Sequence, residues 1–187
     1  MLLDSEPNLP PLIKHFSEKF KQPLHLIKKL GYMDVIDTNY SLPKIIVVGD
    51  AGIGKTSLIS TLVGLSLPQG LQIPLGLKFE IHSSPCTKLY LGYQYQYESV
   101  KEEVSEADLG SKVLAAAKLL PENKTSDVSI SLTVMQPYVS DLTIVDLPGI
   151  NPNLDKYRLK KEFEVLEGYI WAHARYEECA FLIAYRL

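Results

Sequence analysis

Apolar residues recur every three or four positions over residues 12–30, with several lysines and one glutamate between them. This spacing predicts an amphipathic helix, which should kink near Pro23 because a proline within a helix removes a backbone hydrogen bond. Two interpretations of the apolar stripe are open. The stripe packs on the rest of its own domain, or it belongs to a bundle whose other helices lie elsewhere. Residues 31–41 predict a turn-rich connection.

The remainder of the chain alternates short apolar runs with longer amphipathic stretches. The apolar run over 44–49 is typical of a strand buried on both faces of a sheet. Leucines and tyrosines alternate with mostly polar residues over 89–97, which predicts a half-exposed strand. Further strands are predicted over 77–81, 128–135, 141–146 and 179–185, and helices over 55–64, 100–120 and 154–174. This order predicts an α/β fold whose sheet has an antiparallel portion.

Two finer expectations concern exposure. The acidic stretch over 98–108 is interpreted as the solvated face of the helix predicted over 100–120. Trp171, near the end of the helix predicted over 154–174, is expected to pack against the sheet. Prolines and glycines punctuate residues 65–76, which predicts a loop.

The composition narrows the range of partners and locations. The net charge of −3 gives no reason to expect nucleic acid as a partner. Cys86 and Cys179 lie far apart and are interpreted as unpaired thiols, and the four histidines form no ligand cluster. The amino-terminal residues lack the features of a signal peptide, and no apolar run approaches the roughly 18 residues that span a bilayer. We therefore expect a cytoplasmic protein.

The first motif with a chemical meaning lies between the strand predicted over 44–49 and the helix predicted over 55–64. It follows the pattern G-x-x-x-x-G-K-[ST] of a phosphate-binding P-loop and consists of Gly49-Asp50-Ala51-Gly52-Ile53-Gly54-Lys55-Thr56, followed by Ser57. Glycines let backbone N–H groups curl around phosphates, and the following helix presents its positive end to the anion. Lys55 would contact the β and γ phosphates, and the Thr56 hydroxyl would bind Mg²⁺. We interpret Lys55 and Thr56 as candidate catalytic residues and the whole motif through Ser57 as nucleotide-binding.

The second motif is Asp146-Leu147-Pro148-Gly149, at the end of the strand predicted over 141–146. Asp146 would orient Mg²⁺ through a water molecule, and the Gly149 N–H would contact the γ phosphate. The pattern D-x-x-G alone mostly marks turns. Its position after a buried strand and beyond a P-loop favours a switch GTPase over a kinase or a transporter. All four residues are therefore predicted to bind the nucleotide.

At these motifs the sequence resembles the dynamin superfamily, and it is similar in particular to the Mx-like branch with its plant members. The likeness rests on Leu42-Pro43, on Leu65-Ser-Leu-Pro-Gln-Gly70 and on Ser140-Asp-Leu-Thr-Ile-Val-Asp-Leu-Pro-Gly-Ile150. The resemblance implies a helix like the first of the bundle-signalling element, with a linker, over residues 1–42. It implies a GTPase domain over 43–187 that is incomplete at its carboxyl terminus. The implied fold class is α/β, a P-loop GTPase three-layer sandwich with a mostly parallel sheet, preceded by the amphipathic helix.

The same resemblance implies a function. Members of the family bind GTP and GDP with Mg²⁺ and hydrolyse GTP. The resemblance further implies self-association through the GTPase domain or the amino-terminal helix, and peripheral contact with membranes or microtubules. The implied roles are membrane remodelling or antiviral-type activity.

The chain departs from the family pattern at positions that serve hydrolysis. Family P-loops carry Gln and Ser where this chain has Ala51 and Gly52, and a switch Thr where it has Leu75. The resemblance assigns those side chains to placing the attacking water, binding a compensating cation and closing over Mg²⁺. A guanine-reading Thr-Lys-x-Asp segment would lie beyond Leu187. Three alternatives are therefore open: a hydrolysis-deficient nucleotide-binding or regulatory module, a truncated fragment without independent activity, and an unrelated P-loop enzyme that uses ATP.

Overall fold

The described part of the chain forms a seven-stranded sheet flanked by helices. The structure is a computed structural model that describes residues 9–32, 43–67, 76–95, 98–119, 130–174 and 179–185. Its helices are α1 (Pro11–Tyr32), α2 (Lys55–Val63), α3 (Glu106–Leu119) and α4 (Lys156–Ala174). Its strands are β1 (Lys44–Gly49), β2 (Leu77–Ser83), β3 (Lys88–Tyr95), β4 (Glu98–Glu103), β5 (Ile130–Gln136), β6 (Leu142–Asp146) and β7 (Cys179–Ala184). Most predicted elements are confirmed with small shifts at their ends, and the exceptions are described below.

The sheet is mixed, with the order β4-β3-β5-β2-β6-β1-β7. Strand β1 lies between β6 and β7 and is parallel to both, and β2 is parallel to β5. The pairs β2–β6, β3–β5 and β3–β4 are antiparallel, which provides the predicted antiparallel portion. The register pairs Val47 with Asp146. The two predicted motifs therefore leave the sheet at the same edge, because parallel neighbours end together.

Apolar side chains cover both faces of the sheet. Successive residues of a strand point to opposite faces, so Val47 packs in one cluster with Ile59 of α2 and Val113 of α3, whereas Ile46 packs on the other side with Tyr169 of α4. Helices α1, α2 and α3 contribute to the first cluster, and α4 covers the opposite face. The predicted α/β three-layer sandwich is confirmed.

Helix α1 docks on the domain through its first half. Ile13 is 1% exposed and Ser17 is 3% exposed. The Ser140 backbone N–H donates to the Ser17 hydroxyl at 2.8 Å, and the Ser140 hydroxyl donates to the Ser17 carbonyl at 3.2 Å. In the second half Leu26 is 58% exposed. Of the two interpretations left open, packing on its own domain therefore holds for the first half of the helix.

Helix α1 also differs in length from the expectation. It continues through Pro23 and ends at Tyr32, so the connection expected from residue 31 begins later. Residues 33–42 lie outside the described part of the chain, as does most of the loop predicted over 65–76.

The prediction of a helix over 100–120 was wrong in its first turns. Residues Glu98–Glu103 form β4, an edge strand antiparallel to β3, and α3 begins only at Glu106. The Ser105 hydroxyl accepts the Asp108 N–H at 3.1 Å, which caps the helix there. The acidic stretch over 98–108 is thus largely an edge strand and a cap rather than one helix face. An edge strand tolerates charge because its outer side faces water.

The prediction that Trp171 packs against the sheet was also wrong. Its side chain is 62% exposed, and its indole N–H donates to Glu167 at 3.4 Å along the same helix. Tyr169 and Leu166 fill the interface with the sheet instead. Among the described residues, no helix is both long enough and apolar enough to cross a membrane.

The docking of α1 generates a stability prediction. Ile13→Ala should lower the free energy of unfolding by about 2–5 kcal/mol, because it leaves a cavity in the main apolar cluster. The matched change Leu26→Ala on the exposed half should stay within about 0.5 kcal/mol. Urea denaturation of both variants and the unchanged chain measures the difference. Equal, small losses in the two variants would show that the helix does not dock.

Candidate nucleotide and magnesium site

The predicted P-loop connects the end of β1 to the start of α2. Gly49 lies so close to the Ala184 carbonyl of β7 that a side chain at this position would overlap with it. Gly54 caps α2 in a left-handed conformation with φ of 94°, and no side chain of the described residues hydrogen-bonds as a cap. The first N–H groups of α2 are therefore open to an anion, which a helix amino terminus binds well.

Lys55 lies folded over this loop. Its side chain is almost buried, and its ammonium donates to the Gly49 carbonyl at 2.9 Å and to the Asp50 carbonyl at 2.8 Å. Burial lowers the pKa of Lys55, while the carboxylates of Asp146 and Asp50 oppose that shift. The two carbonyl dipoles balance the positive charge of the ammonium only in part. A bound phosphate group would balance it more fully.

Thr56 joins the P-loop to the second motif. Its hydroxyl donates to Asp146 Oδ2 at 2.6 Å, across 90 residues of sequence. The other carboxylate oxygen, Asp146 Oδ1, is buried and has no hydrogen-bond partner among the described residues. Burial raises the pKa of Asp146, and the Thr56 hydrogen bond and the Lys55 charge oppose that shift. A buried carboxylate oxygen without a partner beside a hydroxyl fits Mg²⁺, which prefers oxygen ligands.

The second motif lies directly on the P-loop. The Ala51 N–H donates to the Ile150 carbonyl at 2.7 Å, and Asp50 pairs with Ile150 as a parallel bridge. A Cβ on Gly149 would lie 2.5 Å from the Lys55 ammonium and 2.6 Å from Ala51 Cα. Any residue other than glycine at position 149 would therefore force neighbouring atoms to shift. The backbone at this position lies close enough to contact a ligand bound by the Lys55 ammonium.

The structure brings most of the predicted site residues together, although not every one of them contributes its side chain to the site. The residues from Gly49 to Ser57 form the loop and the first turn of α2, and Asp146 and Gly149 lie beside them, whereas Pro148 lies near Gly76. Leu147 contributes only its backbone, because its side chain is buried in the apolar cluster on the α4 face. Sequence reasoning missed the contact of Ile150 with Ala51 and the contact of Gly76 with Asp146.

Other candidate groups do not form a second site of this kind. The described residues hold no group of three or more histidine, cysteine, aspartate or glutamate side chains arranged for a metal ion. His82 pairs with Asp141 at 3.1 Å, at the start of β6 rather than at the P-loop. Cys86 and Cys179 are not joined by a disulfide, as predicted.

Comparison with known proteins decides the family. The sequence pattern of the dynamin family matches residues 45–176. The chain belongs to the dynamin family. Dynamin-related protein 4C of Arabidopsis thaliana is 30% identical over 179 residues, which cover 92% of this chain and 26% of that protein. The interferon-induced GTP-binding protein Mx1 of Mus musculus is 34% identical over 154 residues, which cover 74% of this chain and 22% of that protein. This dynamin-family chain thus spans about a quarter of the length of these two relatives.

The buried carboxylate of this dynamin-family site generates a pH prediction. Because the pKa of Asp146 is raised on folding, the folded protein binds that proton more tightly than the unfolded chain. The charged carboxylate therefore lowers stability above its raised pKa, and this effect disappears below the ordinary aspartate value of 3.8. Asp146→Asn should raise the free energy of unfolding of the nucleotide-free protein at neutral pH, and the gain should shrink as the pH falls.

Urea denaturation between about pH 7 and pH 4 measures that difference. The exposed Asp108, in the first turn of α3, provides a control, since Asp108→Asn should give no such gain. An Asp146→Asn variant that is less stable than the unchanged chain at every pH would contradict the prediction.

Proposed function

We propose that this chain is a GTP-binding domain of the dynamin type, which binds GTP and GDP with Mg²⁺ and hydrolyses GTP slowly. The observation that carries the proposal is the hydrogen bond from Thr56 to Asp146, whose second carboxylate oxygen is buried without a partner in the described structure. It joins the two phosphate motifs at one point. A structural turn of similar sequence would have no reason to bury a carboxylate there.

Each group of the site then has a role in holding the nucleotide. The first N–H groups of α2 and the loop glycines bind phosphate oxygens, and Lys55 moves from the loop carbonyls to the β and γ phosphates. Thr56 and Asp146 would hold Mg²⁺, which supplies positive charge beside the phosphates. Gly149 offers its N–H on the γ-phosphate side, since it lies against Ala51 and the Lys55 ammonium.

Slow hydrolysis follows from what the loop lacks. Phosphoryl transfer depends on positioning the water and on compensating charge at the transferred group. Ala51 and Gly52 are both exposed at the loop but have no polar side chain to do either. Leu75 lies outside the described residues, so its assignment to the switch threonine position stays a prediction.

A second candidate function shares the binding site but not the turnover. Ala51 and Gly52 favour a regulatory module that responds to bound nucleotide and hydrolyses almost none. The two candidates differ in single-turnover rate and agree on binding. ATP use is the weaker alternative, because relatives such as Mx1 of Mus musculus are named as GTP-binding proteins.

The wider roles are part of the proposal too. Family membership supports self-association through the GTPase domain or α1 and peripheral contact with membranes or microtubules as proposals. A cytoplasmic location is proposed from the sequence features alone. Membrane remodelling and antiviral-type activity would need the long regions that the relatives have beyond the matched part.

Binding should depend on Lys55. Lys55→Ala removes a charge-assisted phosphate contact worth about 1.5–3 kcal/mol, so the affinity for GDP should fall roughly 10- to 100-fold. The exposed Lys118 near the end of α3 provides the control, since Lys118→Ala should leave the affinity unchanged. Titration calorimetry with GDP and with a non-hydrolysable GTP analogue measures both. Equal affinities in the Lys55→Ala variant and the unchanged chain would rule out the P-loop assignment.

Hydrolysis should increase when the missing side chains are restored. The combined change Ala51→Gln, Gly52→Ser and Leu75→Thr should raise the single-turnover rate with Mg²⁺, by up to about 10²–10³. Gly52 has φ of 75°, so a side chain there costs roughly 1–2 kcal/mol in backbone strain. A matched triple variant with Gly52→Ala carries the same strain without the hydroxyl and should gain less. A fast rate in the unchanged chain would show that other residues perform these steps.

A further inference from the structure

We propose that Gly76 is a positioning residue for the Asp146 carboxylate, and that it thereby sets how strongly Mg²⁺ enhances nucleotide binding. This inference rests on the proposed function, because it concerns the same site. Gly76 immediately precedes β2 and is buried. In the sequence it directly follows Leu75, the position that the resemblance aligns with the switch threonine.

The geometry at Gly76 leaves no room for a side chain. Its φ is +78°, and a Cβ built on it would lie 2.6 Å from the Asp146 carbonyl oxygen and 3.5 Å from Pro148 Cδ. The next residue, Leu77, pairs with Asp146 in the antiparallel β2–β6 ladder. Gly76 therefore packs against the peptide that carries the metal-binding carboxylate and against the turn that follows it.

The Asp146 peptide has no free side into which it could withdraw. Across from β2, Asp146 pairs with Val47 of β1, and the Leu147 N–H donates to the Val47 carbonyl at 3.1 Å. Strand β6 is buried along its whole length. A Cβ at position 76 must therefore either turn the Asp146 peptide or lift the start of β2 away from it.

Both responses act on the same side chain. Within the described part of the chain, the Asp146 carboxylate is held by one hydrogen bond, at 2.6 Å from Thr56, and its Oδ1 has no partner that would restore its position. When a group that orients a metal ligand without contacting the metal is altered, the metal affinity commonly changes about 10- to 100-fold. Phosphate contacts from the P-loop backbone and Lys55 do not pass through Gly76.

A second glycine in the chain separates this effect from backbone strain. Gly64 ends α2 with φ of +76°, and its Cβ would meet only the Pro10 side chain, at 3.3 Å. Alanine at position 64 or 76 therefore forces nearly the same unfavourable backbone conformation. Only at position 76 does the added carbon meet Asp146.

The experiment is calorimetric titration of GDP into Gly76→Ala, Gly64→Ala and the unchanged chain, each with Mg²⁺ and with a chelator. The measured quantity is the ratio of GDP affinities with and without Mg²⁺. Gly76→Ala should lower this ratio about tenfold or more, with an affinity in chelator close to that of the unchanged chain. Gly64→Ala should keep the ratio, although it introduces the same backbone strain at positive φ. Asn tolerates positive φ better than Ala, so Gly76→Asn and Gly64→Asn repeat the comparison if Gly76→Ala does not fold.

The outcomes separate the two proposals. If the unchanged chain binds no GDP, or binds it without any effect of Mg²⁺, the proposed function fails and this inference fails with it. If the unchanged chain shows the Mg²⁺ effect and the two glycine variants retain it equally, only the inference about Gly76 is overturned. Loss of folding in both Gly76 variants, with both Gly64 variants folded, would also overturn it in favour of a purely structural role.

Discussion

The Asp146 carboxylate is buried at the end of β6, and its surroundings are arranged around that burial. Taking a charged group out of water is unfavourable unless partners compensate. Thr56 donates one hydrogen bond, Lys55 adds a nearby positive charge, and the second oxygen is left without a partner. Glycines at positions 76 and 149 let two backbone segments approach this region closely. Strand pairing thus places the P-loop, the second motif and the start of β2 around one residue, Asp146.

The sequence correctly predicted those parts of the fold that depend on short, local patterns of residues. The strand before the P-loop is a continuous apolar run, and the loop glycines with Lys55 follow a spacing that phosphate chemistry requires. The strand ending at Asp146 is similarly apolar and is buried at every position. The site was therefore predictable as two motifs, and the parallel pairing of β1 with β6 brings them together.

The remaining features depend on contacts between distant residues. Strand β4 contains charged residues that favour a helix in isolation, and only its pairing with β3 makes it an edge strand. The contact of Gly76 with Asp146 arises because β2 inserts between β5 and β6, a topology that residue spacing does not encode. Trp171 was expected to pack against the sheet. Helix α4 is instead oriented so that Tyr169 is buried, which leaves Trp171 exposed to solvent. A capping residue, Ser105, was the local signal that could have placed the start of α3.

The unpartnered oxygen of Asp146 and the buried ammonium of Lys55 link folding to ligand binding. Burial raises the pKa of the carboxyl group and lowers the pKa of the ammonium group. In the nucleotide-free chain, burial therefore destabilises the charged form of both side chains. A phosphate and a cation would compensate both charges only in the folded state, because the unfolded chain does not bring Thr56 and Asp146 together. A ligand that binds only the folded state stabilises it by about 2.7 kcal/mol at a concentration of 100 times its Kd. The same side chains that weaken the free domain therefore strengthen the loaded one, and replacing them with apolar residues would remove both effects.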